Sequence, residues 1–246
     1  MPLSKIVGLM TATLVFAVAA SVQGAGGRPP DPSRLPGGQV GGGWGQPAAA
    51  GRGMVATAES LTASVRVNSV VTGGQHLPTI TVGPGGQVYV AWVDCLTDQD
   101  CSTANPDIYF AKSTDGGQHF SARVLVSDDG PTAFANAPKI ATDQNGTIYI
   151  VWHDNRAATL GDDSWDVYLS KSTDGGVSFS DSVLVDQHIA NDYQYEPDLA
   201  VTPSGTVYVS WNRYYFDSQL QQWDYDVYVA KSVDGGSSFG TNVKVT

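Results

Sequence analysis

The chain has little positive charge and almost no cysteine. Thirteen Lys and Arg stand against 24 Asp and Glu among 246 residues, a formal net charge of −11. So acidic a surface repels phosphate backbones and anionic lipid, which argues against nucleic acid as a partner. Glycine fingerprints for dinucleotides and a Walker-type loop are missing too, because the glycine pairs here lead into aromatic and β-branched residues and not into a helical pattern. No long hydrophobic run follows the first 24 residues, so no membrane span is expected in the mature chain. The only cysteines are Cys95 and Cys101. Two thiols are too few for a metal centre and too far apart for a thioredoxin-like pair, so in an oxidising compartment they are expected to close a small disulfide ring.

What is present starts with an export pattern. Lys5 gives a positive start, Ile6 to Ala20 an apolar stretch, and Val22-Gln23-Gly24 small residues suited to cleavage, so residues 1–24 read as a signal peptide and the protein as secreted, to the cell surface or medium or to a periplasm. A membrane anchor is the alternative, but the run falls short of the ~20 apolar residues a bilayer needs. Residues 25–58 read as a disordered linker. Ten Gly and five Pro between residues 26 and 58 leave too little apolar surface to offset the entropy of ordering, and Trp44 reads as an incidental aromatic.

Residues 59–246 repeat themselves. Val88-Tyr89-Val90-Ala91-Trp92 returns as Ile148-Tyr149-Ile150-Val151-Trp152 and again as Val207-Tyr208-Val209-Ser210-Trp211, each after a glycine-containing turn. Pro78, Pro138 and Pro197 precede these segments in phase, and Asp107-Ile108-Tyr109, Asp166-Val167-Tyr168 and Asp226-Val227-Tyr228 follow in phase. Each unit reads as four strands, for the middle copy about 139–142, 147–153, 166–172 and 180–185. The second strand is apolar on both faces, as a sheet sandwiched between sheets requires. The fold class expected is an all-β propeller with three four-stranded blades near 77–127, 137–186 and 196–246.

A turn motif follows each third strand: Ser113, Asp115, Gly117 and Phe120; Ser172, Asp174, Gly176 and Phe179; Ser232, Asp234, Gly236 and Phe239. A short carboxylate at the start of such a turn accepts backbone amide hydrogen bonds, and glycine takes positive φ without steric cost. The pattern S-x-D-x-G-x-x-F at this spacing resembles the Asp-box, or BNR, repeat of the sialidase superfamily. The resemblance covers residues 64–246, with His119-Phe120, Ser178-Phe179 and Ser238-Phe239 departing from the usual Thr-Trp ending. It implies that these aspartates build turns; a metal-binding role for them is the lesser alternative.

The resemblance also implies six blades, so the set of three is incomplete. Ser64–Val70 matches the strand that ends each repeat and is expected to complete a blade supplied from elsewhere. Either further blades belong to the protein, which is the preferred expectation, or two chains make one ring, and self-association through open blade edges is expected.

Any site is expected at the ring end formed by the loops 94–106, 154–165 and 212–225, which are rich in acids and aromatics. His153, Trp165, Tyr193, Tyr195, Glu196, Tyr214, Tyr215 and Trp223 are the candidate ligand-binding residues, since flat rings beside carboxylates suit sugars. A sialidase resemblance implies three arginines on the substrate carboxylate, a tyrosine–glutamate nucleophile pair and an aspartate acid/base. The family's first arginine sits two residues before the strand-opening proline, where this chain has His76, Asn136 and Tyr195. Asp154, Arg156 and Arg213 remain as catalytic candidates, with an Asp154–Arg156 pair anchoring the loop as the plainer account. No metal site is assigned and no cofactor is expected, although Asp162-Asp163 and Asp98 with Asp100 could hold calcium. Three functions compete: a secreted module binding a glycan or an extracellular protein, a sialidase-type glycosidase completed by missing blades, and a structural spacer. Whether the chain is an enzyme is left open.

Overall fold

The computed structural model describes residues 64–246 apart from 71, 97, 99, 100, 102–104 and 161. The expected signal peptide and linker lie outside the described residues.

Three four-stranded antiparallel sheets follow one another along the chain, and no helix occurs among the described residues. The first holds β1 (Gln75–Val82), β2 (Val88–Asp94), β3 (Asp107–Ser113) and β4 (Val124–Leu125). The second holds β5 (Ala135–Thr142), β6 (Ile148–Asp154), β7 (Asp166–Ser172) and β8 (Val183–Leu184). The third holds β9 (Tyr193–Val201), β10 (Val207–Asp217), β11 (Gln222–Ser232) and β12 (Val243–Lys244). Within each sheet, strands pair with their sequence neighbours in simple meander order.

The double-sided apolar pattern of the second strands is explained by what lies on each face. Ile148, Ile150 and Trp152 of β6 share one apolar cluster with Tyr89, Ala91, Val93, Ile108 and Phe110 of the first sheet. Tyr149 and Val151, on the other face of β6, join Val207, Val209 and Trp211 of the third. Alternate side chains of one strand thus serve two interfaces, and each large side chain buried here contributes roughly 1.5–3 kcal/mol.

The first strand of every sheet is bulged at its proline. Leu77, Ala137 and Glu196, each just before Pro78, Pro138 or Pro197, take φ near +50° (50, 50 and 51°), and the ladder slips at the same place in all three sheets. A bulge adds a residue and re-aims the strand beyond it. Since three unrelated side chains accept the conformation, it belongs to the architecture and not to one site.

The turns after β3, β7 and β11 close alike. Ser172 Oγ accepts the Gly176 amide at 2.8 Å and donates to Asp174 at 2.7 Å, while Asp174 accepts the Val177 and Ser178 amides at 2.9 and 3.1 Å. Ser113 with Asp115 and Ser232 with Asp234 repeat the pattern. These hydrogen bonds hold all three carboxyls well below the usual range. The aromatic that ends the turn pins more than its own hairpin: Phe179 packs edge-on against Phe110 of the preceding sheet, centroids 5.2 Å apart.

Three expectations need correction. Residues 64–70 form no strand, although Val67 packs against Val90, Trp92 and Ala111. The last strand of each sheet is two residues long, not six. The stretch 212–225 is not a loop: β10 and β11 run on as a hairpin paired from Val207↔Ser232 to Asp217↔Gln222.

Candidate functional site

The extended hairpin creates a surface that neither of the other sheets has. Side chains two apart on a strand share a face, so Tyr214 and Phe216 on β10 lie beside Trp223 and Tyr225 on β11. The Tyr214 ring is 4.4 Å from that of Tyr225 and 4.6 Å from that of Trp223, both stacked, and Phe216 meets Trp223 edge-on at 5.6 Å. Tyr193 on β9 pairs with Tyr214 in the ladder and continues the row to Tyr195, stacked at 5.8 Å, and thence to Trp165 and His153. The loop of the second sheet is tied to β9 where the Gln194 amide donates to the Trp165 carbonyl at 2.8 Å, which carries the wall across two sheets.

The wall grades from exposed to buried. Phe216 and Trp223 are each 46% exposed and Tyr225 63%, whereas His153 is 5% exposed. Burial alone pushes the His153 imidazole down to about 3, so it is neutral, and its Nδ1 accepts the Glu196 amide at 3.3 Å. Burial likewise pushes the Tyr195 phenol well above its ordinary value.

The arginines are committed elsewhere. Arg213 donates to Asp192 at 2.7 Å and to the Tyr228 hydroxyl at 3.1 Å, and lies 4.5 Å over the Tyr215 ring. Tyr215, predicted to share the site, is on the opposite face of the hairpin from Tyr214 and its hydroxyl is bonded to Asp226. Arg156 donates to Asp154 at 2.7 Å and to Asp128 at 2.7 Å and stacks 3.9 Å over Tyr168. Asp154 is fully buried and also accepts the Trp152 indole N–H at 2.8 Å. The string His153–Arg156 therefore does not deliver an acid and a base to the rim; it is the inside of a sheet corner. Asp94 repeats the arrangement in the first sheet, accepting from Trp92 and pairing with Arg123. In the third sheet Asn212 and Arg213 follow Trp211, and the indole donates to Gln194 instead, at 2.8 Å.

No family model matches the chain, and no curated protein sequence does. Solved structures do. The chain aligns with an α-L-arabinanase of Penicillium chrysogenum complexed with arabinobiose at TM-score 0.55 and 15% identity, over 70% of this chain and 50% of that one. It aligns with the Hadza microbial sialidase Hz136 at TM-score 0.52 and 16% identity, over 68% and 36%. A protein of unknown function from Dyadobacter fermentans gives TM-score 0.55 and 19% identity, over 72% and 52%. The fold is a sialidase-like β-propeller. The chain spans about half the length of the first solved structures it matches, and its three sheets are three blades.

On the propeller, the wall occupies the end opposite the Ser-x-Asp-Gly-Gly turns, where the first-strand starts and the second-to-third-strand connections gather. Glu196 is exposed there and accepts from Asn212 Nδ2 at 3.2 Å. Cys95 and Cys101 are joined by a disulfide, and His76 lies against both sulfurs at 3.4 and 2.9 Å. Among the described residues these three form the one grouping of potential metal ligands, and both thiols are consumed by the bond. Asp162 accepts the Ser164 and Asn191 amides at 3.0 Å each and faces His188 at 3.3 Å; of the other pair in the calcium reading, Asp98 with Asp100, Asp100 lies outside the described residues. A broad groove beside the first blade, lined by Leu96, Asn105, Leu125 and Asp128 among others, contains no ring to stack on.

Sequence reasoning missed Phe216, Tyr225, Asp192 and Asp186. The first two announce themselves by aromatic alternation, Tyr214-x-Phe216 and Trp223-x-Tyr225, in a stretch read as loop. Asp186 is visible only by alignment of blades. Ser127 and Thr246 hold the same place, each hydroxyl accepting an amide (Ile108 at 3.1 Å, Val227 at 3.2 Å) and bonding an aspartate, Asp107 or Asp226. Asp186 accepts the Val167 amide at 2.7 Å in the same way and faces Asp166. Burial, and then the Asp166 carboxylate, push it up to about 8. Its carboxyl therefore keeps a proton to higher pH than an exposed aspartate does.

Proposed function

We propose that this is an exported sialidase-like propeller that binds uncharged glycan through the aromatic wall and carries no complete sialidase-type catalytic set among the described residues. The observation that carries the reading is the conjunction of a row of stacked rings at Tyr214, Trp223 and Tyr225, the last two exposed, with the closure of Arg156 and Arg213 onto aspartates. Sugar C–H faces stack on such rings, and peripheral hydroxyls find Glu196 and Asn212 beside them. An anionic sugar needs a free guanidinium fork; Arg213 lies on the hairpin face opposite the wall, and both it and Arg156 are closed on aspartates. Export rests on the pattern of the first 24 residues.

The test is a glycan array followed by calorimetry on the retained neutral oligosaccharides. Trp223→Ala is expected to weaken binding about tenfold or more while leaving the melting temperature unchanged, since its side chain is 46% exposed. An array without retention, together with a pull-down that captures no protein, would sink the binding reading. Turnover of a fluorogenic sialoside or arabinoside by this chain, abolished by Glu196→Gln, would replace it with a hydrolase.

A further inference from the structure

The two interfaces inside the chain follow one rule, and the rule leaves one half-interface open at each end. On the side facing the next blade, the tyrosine of the second strand pairs in register with a lysine of the third: Tyr89 with Lys112, Tyr149 with Lys171, Tyr208 with Lys231. Lys112 donates to the Gly175 carbonyl in the turn of the following blade at 2.6 Å, and Lys171 to the Gly235 carbonyl at 2.6 Å. The next glycine of that turn presses on the same face: a Cβ at Gly176 would lie 2.4 Å from the Phe110 ring, and one at Gly236 3.0 Å from Leu169.

The third blade presents this surface with nothing upon it among the described residues. Tyr89 and Tyr149 are 4% and 2% exposed, Tyr208 38%. Lys231 is exposed and sits 5.5 Å over the Tyr208 ring instead of reaching a turn. The first blade shows the converse deficit. Ile140 enters the interface with the preceding blade and is 8% exposed, while its counterpart Ile80 is 66% exposed and Val82, two residues on, 61%. Gly116, the counterpart of Gly175, meets no lysine among the described residues. One end has the lysine without the carbonyl, and the other the carbonyl without the lysine.

We propose that the third blade of one chain docks on the first blade of a second copy, head to tail, with Lys231 donating to the partner turn at Gly116 and Tyr208 and Val229 covering Ile80 and Val82. Val67 lies where Val126 and Val185 lie in the internal interfaces, and no strand ladder holds it. Val245, 62% exposed in the third blade, is the equivalent of those two residues and takes that place on docking. A contact between two different surfaces either closes a ring or continues as a fibre. Joined at both ends, two copies make a closed ring of six blades.

Light scattering with size-exclusion chromatography on the full chain tests this. A concentration-dependent dimer is expected, with Tyr208→Asp and Ile80→Asp each raising the dissociation constant at least about tenfold. Circular dichroism checks that both variants remain folded, which their exposure allows. Because the contact joins unlike ends, mixing the two variants restores one intact interface and yields a heterodimer that neither forms alone. A folded chain that stays monomeric at every concentration overturns the proposal. So does a dimer indifferent to both substitutions, or one that mixing fails to restore.

Discussion

Asp186 and Arg156 show how single residues meet the demands of a repeated fold with different chemistry. Where the other blades place a hydroxyl to accept an amide, the second places the carboxyl of Asp186. Burial and the neighbouring Asp166 push its carboxyl up to about 8 in the folded chain, against ~3.9 when unfolded. The folded state therefore holds the extra proton. The stabilising contribution is complete below the unfolded value and is lost as pH rises through the window up to about 8. His188, whose pKa is raised first by its hydrogen bond to Asp166, adds a smaller loss of the same sign. Asp186→Asn supplies both an acceptor and a donor without the titration. It is expected to flatten the fall in urea-denaturation stability between pH 5 and pH 8, by on the order of 2 kcal/mol. Arg156→Ala leaves the buried Asp154 and the exposed Asp128 without their cation, and about 3 kcal/mol, chiefly from Asp154, is expected to be lost in the same assay at pH 7.

At the scale of elements, the turns and the third hairpin do different work. The turn glycine is required twice over: Gly176 has φ +79°, and any Cβ there strikes Phe110 of the preceding blade. Gly176→Ala is expected to lower stability by more than about 2 kcal/mol, measured by thermal unfolding, whereas an alanine that only suffered the dihedral would lose about 1–2. The hairpin carries its rings beyond the core. Tyr225→Ser should therefore leave thermal unfolding unmoved and weaken the oligosaccharide affinity defined by Trp223→Ala. The blades and turns were legible as sequence because each repeat prints the same local demand three times in phase. The hairpin was not. Its residues Asn212 to Tyr225 are aromatic and acidic and have no counterpart in the other repeats, so length and composition suggested a loop. Only the ladder from Val207↔Ser232 to Asp217↔Gln222 made it sheet.

For the whole molecule, the acidic balance governs association. Each chain carries a formal charge of −11, and two such chains repel until salt screens them. The head-to-tail contact is largely apolar apart from Lys231, so its dissociation constant is expected to fall as salt rises from ~0.02 to ~0.2 M, across which the screening length shrinks from roughly 20 to 7 Å. Light scattering across that series reads the effect. A contact built on opposite charges would weaken instead.

The sequence by itself determined the all-β class, the three four-stranded units and the end of the propeller to which the connecting segments go. Those follow from period, alternation and turn chemistry, which act over a few residues and repeat. Tertiary structure alone decided which side chains are available there. Asp154 and His153 look reactive as letters, but a second strand packed on both faces puts them in the interior, where burial neutralises the imidazole and Arg156 closes on the carboxylate. On the hairpin face opposite the wall, Arg213 is held by Asp192, more than twenty residues upstream. Ion pairing and ring stacking depend on which strands the ladder brings side by side, and no spacing within one strand records that.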